Sequence, residues 1–140
     1  MIREIKLRDY PRLIEIWGSA VLNTHDFLKD EDFTYYKEQL PVYFKHVKLL
    51  GFEEGGILAG FMGTLEENLE MLFVHNDSRG KGVGKKLIKY AIENLKVTKV
   101  DVNEQNTEAV GFYKHIGFYI LNRSELDGMG KEYPILHMGL

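Results

Sequence analysis

The chain has 140 residues, 44% apolar and 28% charged, which suits one domain, residues 1–140, around one core. Its 18 basic and 21 acidic residues give a formal net charge of −3, which excludes general polyanion binding; no nucleic-acid partner is expected, and any anion site must be local. The lack of cysteine excludes disulfides, thiolate metal sites and a cysteine nucleophile, and without a membrane-length apolar run or a signal-peptide centre a cytoplasmic protein with no membrane partner is expected.

Residues 2–7 alternate apolar and charged, as an opening strand does. Asp9 with Pro11 starts a helix. On it Leu13, Ile16, Trp17, Ala20 and Val21 fall on one face at helical spacing. NTHDF (23–27) breaks that helix. Asp30 or Asp32 caps a second one carrying Phe33, Tyr36, Leu40, Tyr43, Phe44 and Val47, which Pro41 should kink or divide.

Residues 48–53 and 57–64 flank Glu54-Gly55-Gly56 and read as a β-hairpin. LEMLFV (69–74) is a further strand, antiparallel to its predecessor across the turn at Glu66–Asn68. A helix over 84–95 follows, then a strand over 97–102. The intervening helix makes strands 69–74 and 97–102 parallel neighbours. Asn106 or Thr107 caps a helix that Gly117 ends. Strands at 118–122 and 133–140 close the chain. The order βααβββαβαββ predicts an α/β (α+β) domain, with a mixed, mainly antiparallel sheet of about seven strands and about four helices.

Between the strand ending at Val74 and the lysine-rich helix stand Gly80, Gly82 and Gly84, with Arg79, Lys81, Lys85 and Lys86 around them. Glycine lets backbone N–H groups converge on a ligand, and the first N–H groups of a helix lack internal partners. With the helix dipole these features make a phosphate site, to which Arg79 and Lys81 can add charge. GKGVGKK lacks the spacing and the Ser/Thr of a nucleotide P-loop. The dinucleotide pattern fails because residue 85 is Lys.

Arg79-x-x-Gly82-x-Gly84 after LFV resembles the acyl-CoA pyrophosphate loop of the GNAT superfamily of N-acetyltransferases. NEQNTEAVGFYKHIGF (103–118) resembles that family's next segment, and the element order matches over essentially the whole chain. The resemblance implies that strands 69–74 and 97–102 splay apart to admit the pantetheine arm. Main-chain groups of Leu72, Phe73 and Val74 would hold the arm, with Asn106 on the other side and Phe112 alongside. Backbone N–H groups of Arg79, Gly80, Lys81, Gly82, Val83, Gly84 and Lys85 would hold the pyrophosphate.

Tyr113 matches the family's tyrosine facing the thioester sulfur, where a phenol can protonate the leaving thiolate. The acceptor amine must lose a proton. Glu70, the only acid within LEMLFV, resembles the strand glutamate that serves as base in several members. Alternation puts its side chain on the face opposite Met71 and Phe73. His25 is a second candidate base. The loop carrying His25, Asp26 and Phe27 would line the acceptor site, and Tyr133 either walls that site or packs in an edge strand. His46, His115 and His137 show no metal-ligand pattern, and no metal is required.

The reading is an acetyl-CoA-dependent N-acetyltransferase whose acceptor, a small-molecule amine or a peptide or protein amine, attacks directly in a ternary complex. The expected state is monomer or homodimer. A non-catalytic acyl-CoA-binding regulatory module and a nucleotide-binding protein are the alternatives.

Overall fold

Gly55 (φ +61°) and Gly56 (φ +81°) turn the chain between β2 (Lys48–Glu54) and β3 (Ile57–Leu65). Consecutive positive φ values suit glycine and match the twist of a tight hairpin. The computed structural model describes all residues, 1–140. Seven strands form one sheet in the order β1-β2-β3-β4-β5-β7-β6, with β1 at Ile2–Glu4, β4 at Asn68–Val74, β5 at Lys99–Asn103, β6 at Tyr119–Ser124 and β7 at Ile135–Gly139. Only β4 and β5 run parallel; the other neighbours are antiparallel.

The sheet separates two helical layers. On one face lie α1 (Tyr10–Thr24) and α2 (Asp30–Phe44), which close a cluster with Leu58, Phe61 and Met71. On the other, α3 (Val83–Asn94) and α4 (Thr107–Ile116) bury Leu87, Ile88, Ala91 and Tyr113 against Met62, Leu69 and Val100. The face expected for the first helix is the buried one: Leu13, Ile16, Trp17, Ala20 and Val21. Fully burying such side chains stabilises by about 1.5–3 kcal/mol each for the larger aliphatics. Asp9 fixes the start of α1. Its carboxylate accepts from the Lys6 N–H at 2.8 Å and from Arg3 at 3.0 and 3.1 Å.

Pro41 does not divide α2, which runs unbroken past it. The carbonyl that proline leaves without a helical donor belongs to exposed Lys37, where water can serve. Neither Asp30 nor Asp32 is the cap. Lys29 holds that position, and the two acids sit in the first turn, where negative charge suits the helix dipole. The last strand begins at Ile135, so Tyr133 precedes it. No helix is long and apolar enough to cross a membrane.

Two irregularities in β4 break the regular pleat at the centre of the sheet. Thr64 pairs with Leu69 and Gly63 with Met71, so Glu70 is the extra residue of a β-bulge. Beyond Asn68↔Lys99 and Leu69↔Val100, β4 and β5 do not pair at all. The sheet therefore opens into a V along residues 70–74, with main-chain groups on the β5 side left without a strand partner.

Candidate active site

The V is lined from both arms. A cavity of about 110 Å³ inside it is walled by Glu70, Met71, Leu72 and Phe73 from β4, Asp101 and Asn103 from β5, Tyr113 from α4, and His25. A second cavity, about 210 Å³, continues outward along Leu72, Phe73, Val74, Arg79, Asn106 and Phe112. Six of the residues expected to hold the cofactor thus line one channel. Asn106 caps α4, its Oδ1 accepting from Ala109 N–H at 3.2 Å, which leaves its amide NH₂ for a ligand.

At the channel's outer end the glycine loop adopts the conformation that its sequence suggests. Gly80 (φ +76°) and Gly82 (φ +81°) are left-handed, and Gly82 caps α3 without a side-chain hydrogen bond. An added Cβ at either would meet nothing within 4 Å, so the loop is open toward solvent. The first N–H to find a helical acceptor is that of Lys86, on Gly82 O at 3.0 Å, which leaves the earlier donors at the N-terminus of α3 for an anion. Lys81 and Lys85 are exposed beside it, while the Val83 side chain is buried in the core and offers only backbone. Arg79 forms an ion pair with Glu108 on α4, so its guanidinium bridges the two walls of the channel.

Tyr113 is 7% exposed, yet its hydroxyl bonds to no group in the chain and borders the inner cavity. Burial holds its phenol above the usual range, so it remains protonated at neutral pH.

The acceptor side is a larger cavity, about 510 Å³, that shares Glu70, Met71, Phe73, Asp101, Asn103 and His25 with the inner one. Glu70 lies on the same face as Met71 and Phe73, contrary to strict alternation. Leu69 packs with Leu72 and Val74 on the α3/α4 side, whereas Met71 packs with Phe73 on the other. The bulge inserts Glu70 at the point of reversal and aims it into the cavity. Partial enclosure raises the Glu70 carboxyl above the ordinary range, and the Asp101 charge adds to the rise.

His25 ends α1 and borders all of these cavities. Burial pushes its imidazole down to about 4, so it is neutral at physiological pH. Phe27 packs on the His25 ring (centroids 5.1 Å apart) and lies 6.0 Å from Tyr133. Tyr133 lines the larger cavity and donates its hydroxyl hydrogen to buried Asp32, while accepting from Lys29 N–H at 3.2 Å. It is therefore a cavity wall, not part of an edge strand. Lys131 joins Asp32 at 2.9 Å, and Tyr36 donates to Asp127, so the segment before β7 is fastened to α2.

Sequence reading missed several lining residues: Tyr36, Tyr43, Asn103, Ser124, Leu126, Asp127 and His137. Asp101 and His137 carried a usable signal. His137 is the lone polar residue of β7, Asp101 stands between two valines of β5, and the two are direct cross-strand partners.

A family model described as an acetyltransferase (GNAT) domain matches residues 22–130. The chain is 37% identical over 138 residues to peptidyl-lysine N-acetyltransferase YjaB of Salmonella typhimurium, covering 98% of this chain and 95% of that protein. The solution structure of apo YjaB from Escherichia coli superposes with TM-score 0.91 at 36% identity, covering 99% of this chain and 95% of that one. PaiA N-acetyltransferase from Thermoplasma acidophilum, solved in complex with coenzyme A, shares the fold at 22% identity and TM-score 0.75, covering 100% and 98% of the two chains. With a family match over most of its length and close relatives spanning nearly all of it, the chain is an N-acetyltransferase of the GNAT family.

Proposed function

We propose that the protein acetylates the side-chain amine of lysine in a peptide or protein, with acetyl-CoA as donor. Acetyl-CoA, when bound, supplies an acetyl group already activated as a thioester. What supports its placement is the open V between β4 and β5, the unpartnered amides of the glycine loop and the channel joining them. The YjaB proteins are named peptidyl-lysine N-acetyltransferases, and the larger cavity suits that acceptor. It is open enough for a side chain to enter and is rimmed by Glu70, Asp101 and Asp127, which attract an ammonium group.

The observation that carries the reading is the meeting of Tyr113, Glu70 and His25 around one small cavity where the two channels join. A lysine amine has an ordinary pKa of about 10.4, so it must shed a proton before it can attack. Glu70 takes that proton, and its raised affinity for protons makes it a better base. His25 holds protons too weakly for that role; it orients the amine as a neutral hydrogen-bonding group. Tyr113 Oη gives its proton to the departing sulfur, the chemistry a neutral buried phenol can supply. Orientation of amine and thioester in a ternary complex provides much of the acceleration.

The test is incubation with acetyl-CoA and a panel of lysine peptides, their Nα-blocked forms, and free diamines, followed by mass spectrometry. Acetyl-lysine on the blocked peptides is expected. Transfer to free diamines alone would reject the peptide acceptor while leaving acetyl transfer intact.

A further inference from the structure

In the wall of the larger cavity three side chains from adjacent strands form a hydrogen-bonded row. Asp101 on β5 stands directly opposite His137 on β7, with Oδ1 to Nδ1 at 2.7 Å. Ser124, at the end of β6, places Oγ 2.6 Å from His137 Nε2. All three line the cavity.

The protons in this row follow from elementary valence. An ionised carboxylate only accepts, so the hydrogen between Asp101 and His137 sits on Nδ1. In the neutral ring Nε2 then carries a lone pair, and the Ser124 hydroxyl must donate to it. A hydroxyl donating to an imidazole whose other nitrogen is held by a carboxylate is the arrangement that activates serine as a nucleophile, on whatever fold it occurs. The two residues after Ser124 add a second feature. The main-chain N–H groups of Glu125 and Leu126 donate to nothing within the chain, and Leu126 also lines the cavity. An amide following the nucleophile is a common donor to a developing oxyanion.

We propose that Ser124, His137 and Asp101 form a second catalytic site, one that cleaves small activated acyl esters through Ser124. Ser124 Oγ attacks the ester carbonyl carbon while its proton passes to His137 Nε2. The bond between acyl carbon and alkoxy oxygen breaks, and the alcohol departs with that proton. Water then hydrolyses the ester on Ser124, releasing a carboxylic acid and restoring the hydroxyl. Asp101 steadies the imidazolium formed in each half. The site needs neither acetyl-CoA nor Tyr113, so it stands or falls apart from the acetyl-transfer reading.

A fluorophosphonate probe tests this, because a serine activated in this way displaces fluoride and keeps the phosphonyl group. One adduct per chain is expected, located on Ser124 by peptide mass spectrometry. The labelling rate should fall at least about 100-fold in His137→Gln and also drop in Asp101→Asn, the scale set by loss of a general base. Hydrolysis of p-nitrophenyl acetate should fall in parallel and be absent beyond background in Ser124→Ala. Tyr113→Phe should label at the wild-type rate. Rates are compared among variants that melt like the wild type; should His137→Gln fail to fold, Asp101→Asn supplies the comparison. Failure of the folded wild-type protein to label on Ser124, or labelling indifferent to both substitutions, overturns the proposal.

Discussion

Thr24 holds His25 in a single tautomer. The Thr24 hydroxyl donates to the Ala20 carbonyl at 2.8 Å and lies 2.7 Å from His25 Nδ1. Its one hydrogen is spent, so Nδ1 must donate to it, and Nε2 keeps the free lone pair. The base form is stabilised by enclosure, which sets the imidazole at about 4 against an ordinary 6.5.

That depression makes His25 an acid-sensitive element of stability. Both states carry a neutral ring above pH 6.5, and only the unfolded chain gains the proton as pH falls from there toward 4. Stability is therefore present above the unfolded value and lost on acidification through that window. Urea titrations at pH 7 and pH 4.5 should show wild type losing about 2 kcal/mol more than His25→Gln. An equal loss in both proteins would remove His25 from the acid response.

Tyr113→Phe keeps the ring that packs against Phe112 and Phe118 and deletes only the hydroxyl. The melting temperature and acetyl-CoA affinity should hold, while kcat falls about 100-fold, the usual scale for a lost proton donor. Steady-state kinetics with a lysine peptide decide this; an unchanged kcat removes the hydroxyl from the reaction.

For Glu70 the signature is a pH profile. A base works only when deprotonated, so kcat/KM should climb with pH, along a limb lying above the ordinary glutamate range. Glu70→Gln should abolish that limb and lower kcat/KM by about 100-fold. Asp101→Asn removes a negative neighbour and should shift the limb toward lower pH. A limb that survives Glu70→Gln assigns the base elsewhere.

Two glycines of similar spatial freedom should answer differently to alanine. A Cβ at Gly82 or at Gly111 meets nothing within 4 Å, but Gly82 has φ +81° and Gly111 lies within α4. Gly82→Ala should cost about 1 kcal/mol through left-handed backbone strain, and coenzyme A affinity should drop about 10-fold as the loop re-forms. Gly111→Ala should be neutral or stabilise by up to about 1 kcal/mol through helix propensity. Calorimetric titration with coenzyme A and thermal melts separate the two; equal responses would refute the conformational argument.

The elements were legible because local chemistry marks them. Helical spacing exposed the buried face of α1, glycine marked the β2–β3 turn, and Asn106 and Gly117 bounded α4 as their backbone roles require. The glycine loop was legible for the same reason, since positive φ and bare amides are written in residue type. Tyr113 and Glu70 came from resemblance, and their surroundings did not follow from the residues alone. Alternation misplaced Glu70 because it assumes an unbroken pleat. The Ser124–His137–Asp101 row was invisible because it depends on the register of β5, β7 and β6, which brings together residues 13 and 36 apart in the chain. The fastening of Tyr133 to Asp32 spans 101 positions and left no local mark.

The bulge at Glu70 has a consequence for how this strand tolerates change. Substituting residue 70 alters one side chain, and deleting it would leave Leu69 directly beside Met71. Plain alternation then sends these two to opposite faces, which are the faces they already occupy, and their partners Thr64 and Gly63 are already consecutive. Residue 70 is thus an insert that hangs a carboxylate on an otherwise regular strand: a strand shortened by one codon would keep both cores in register and lose only the acid.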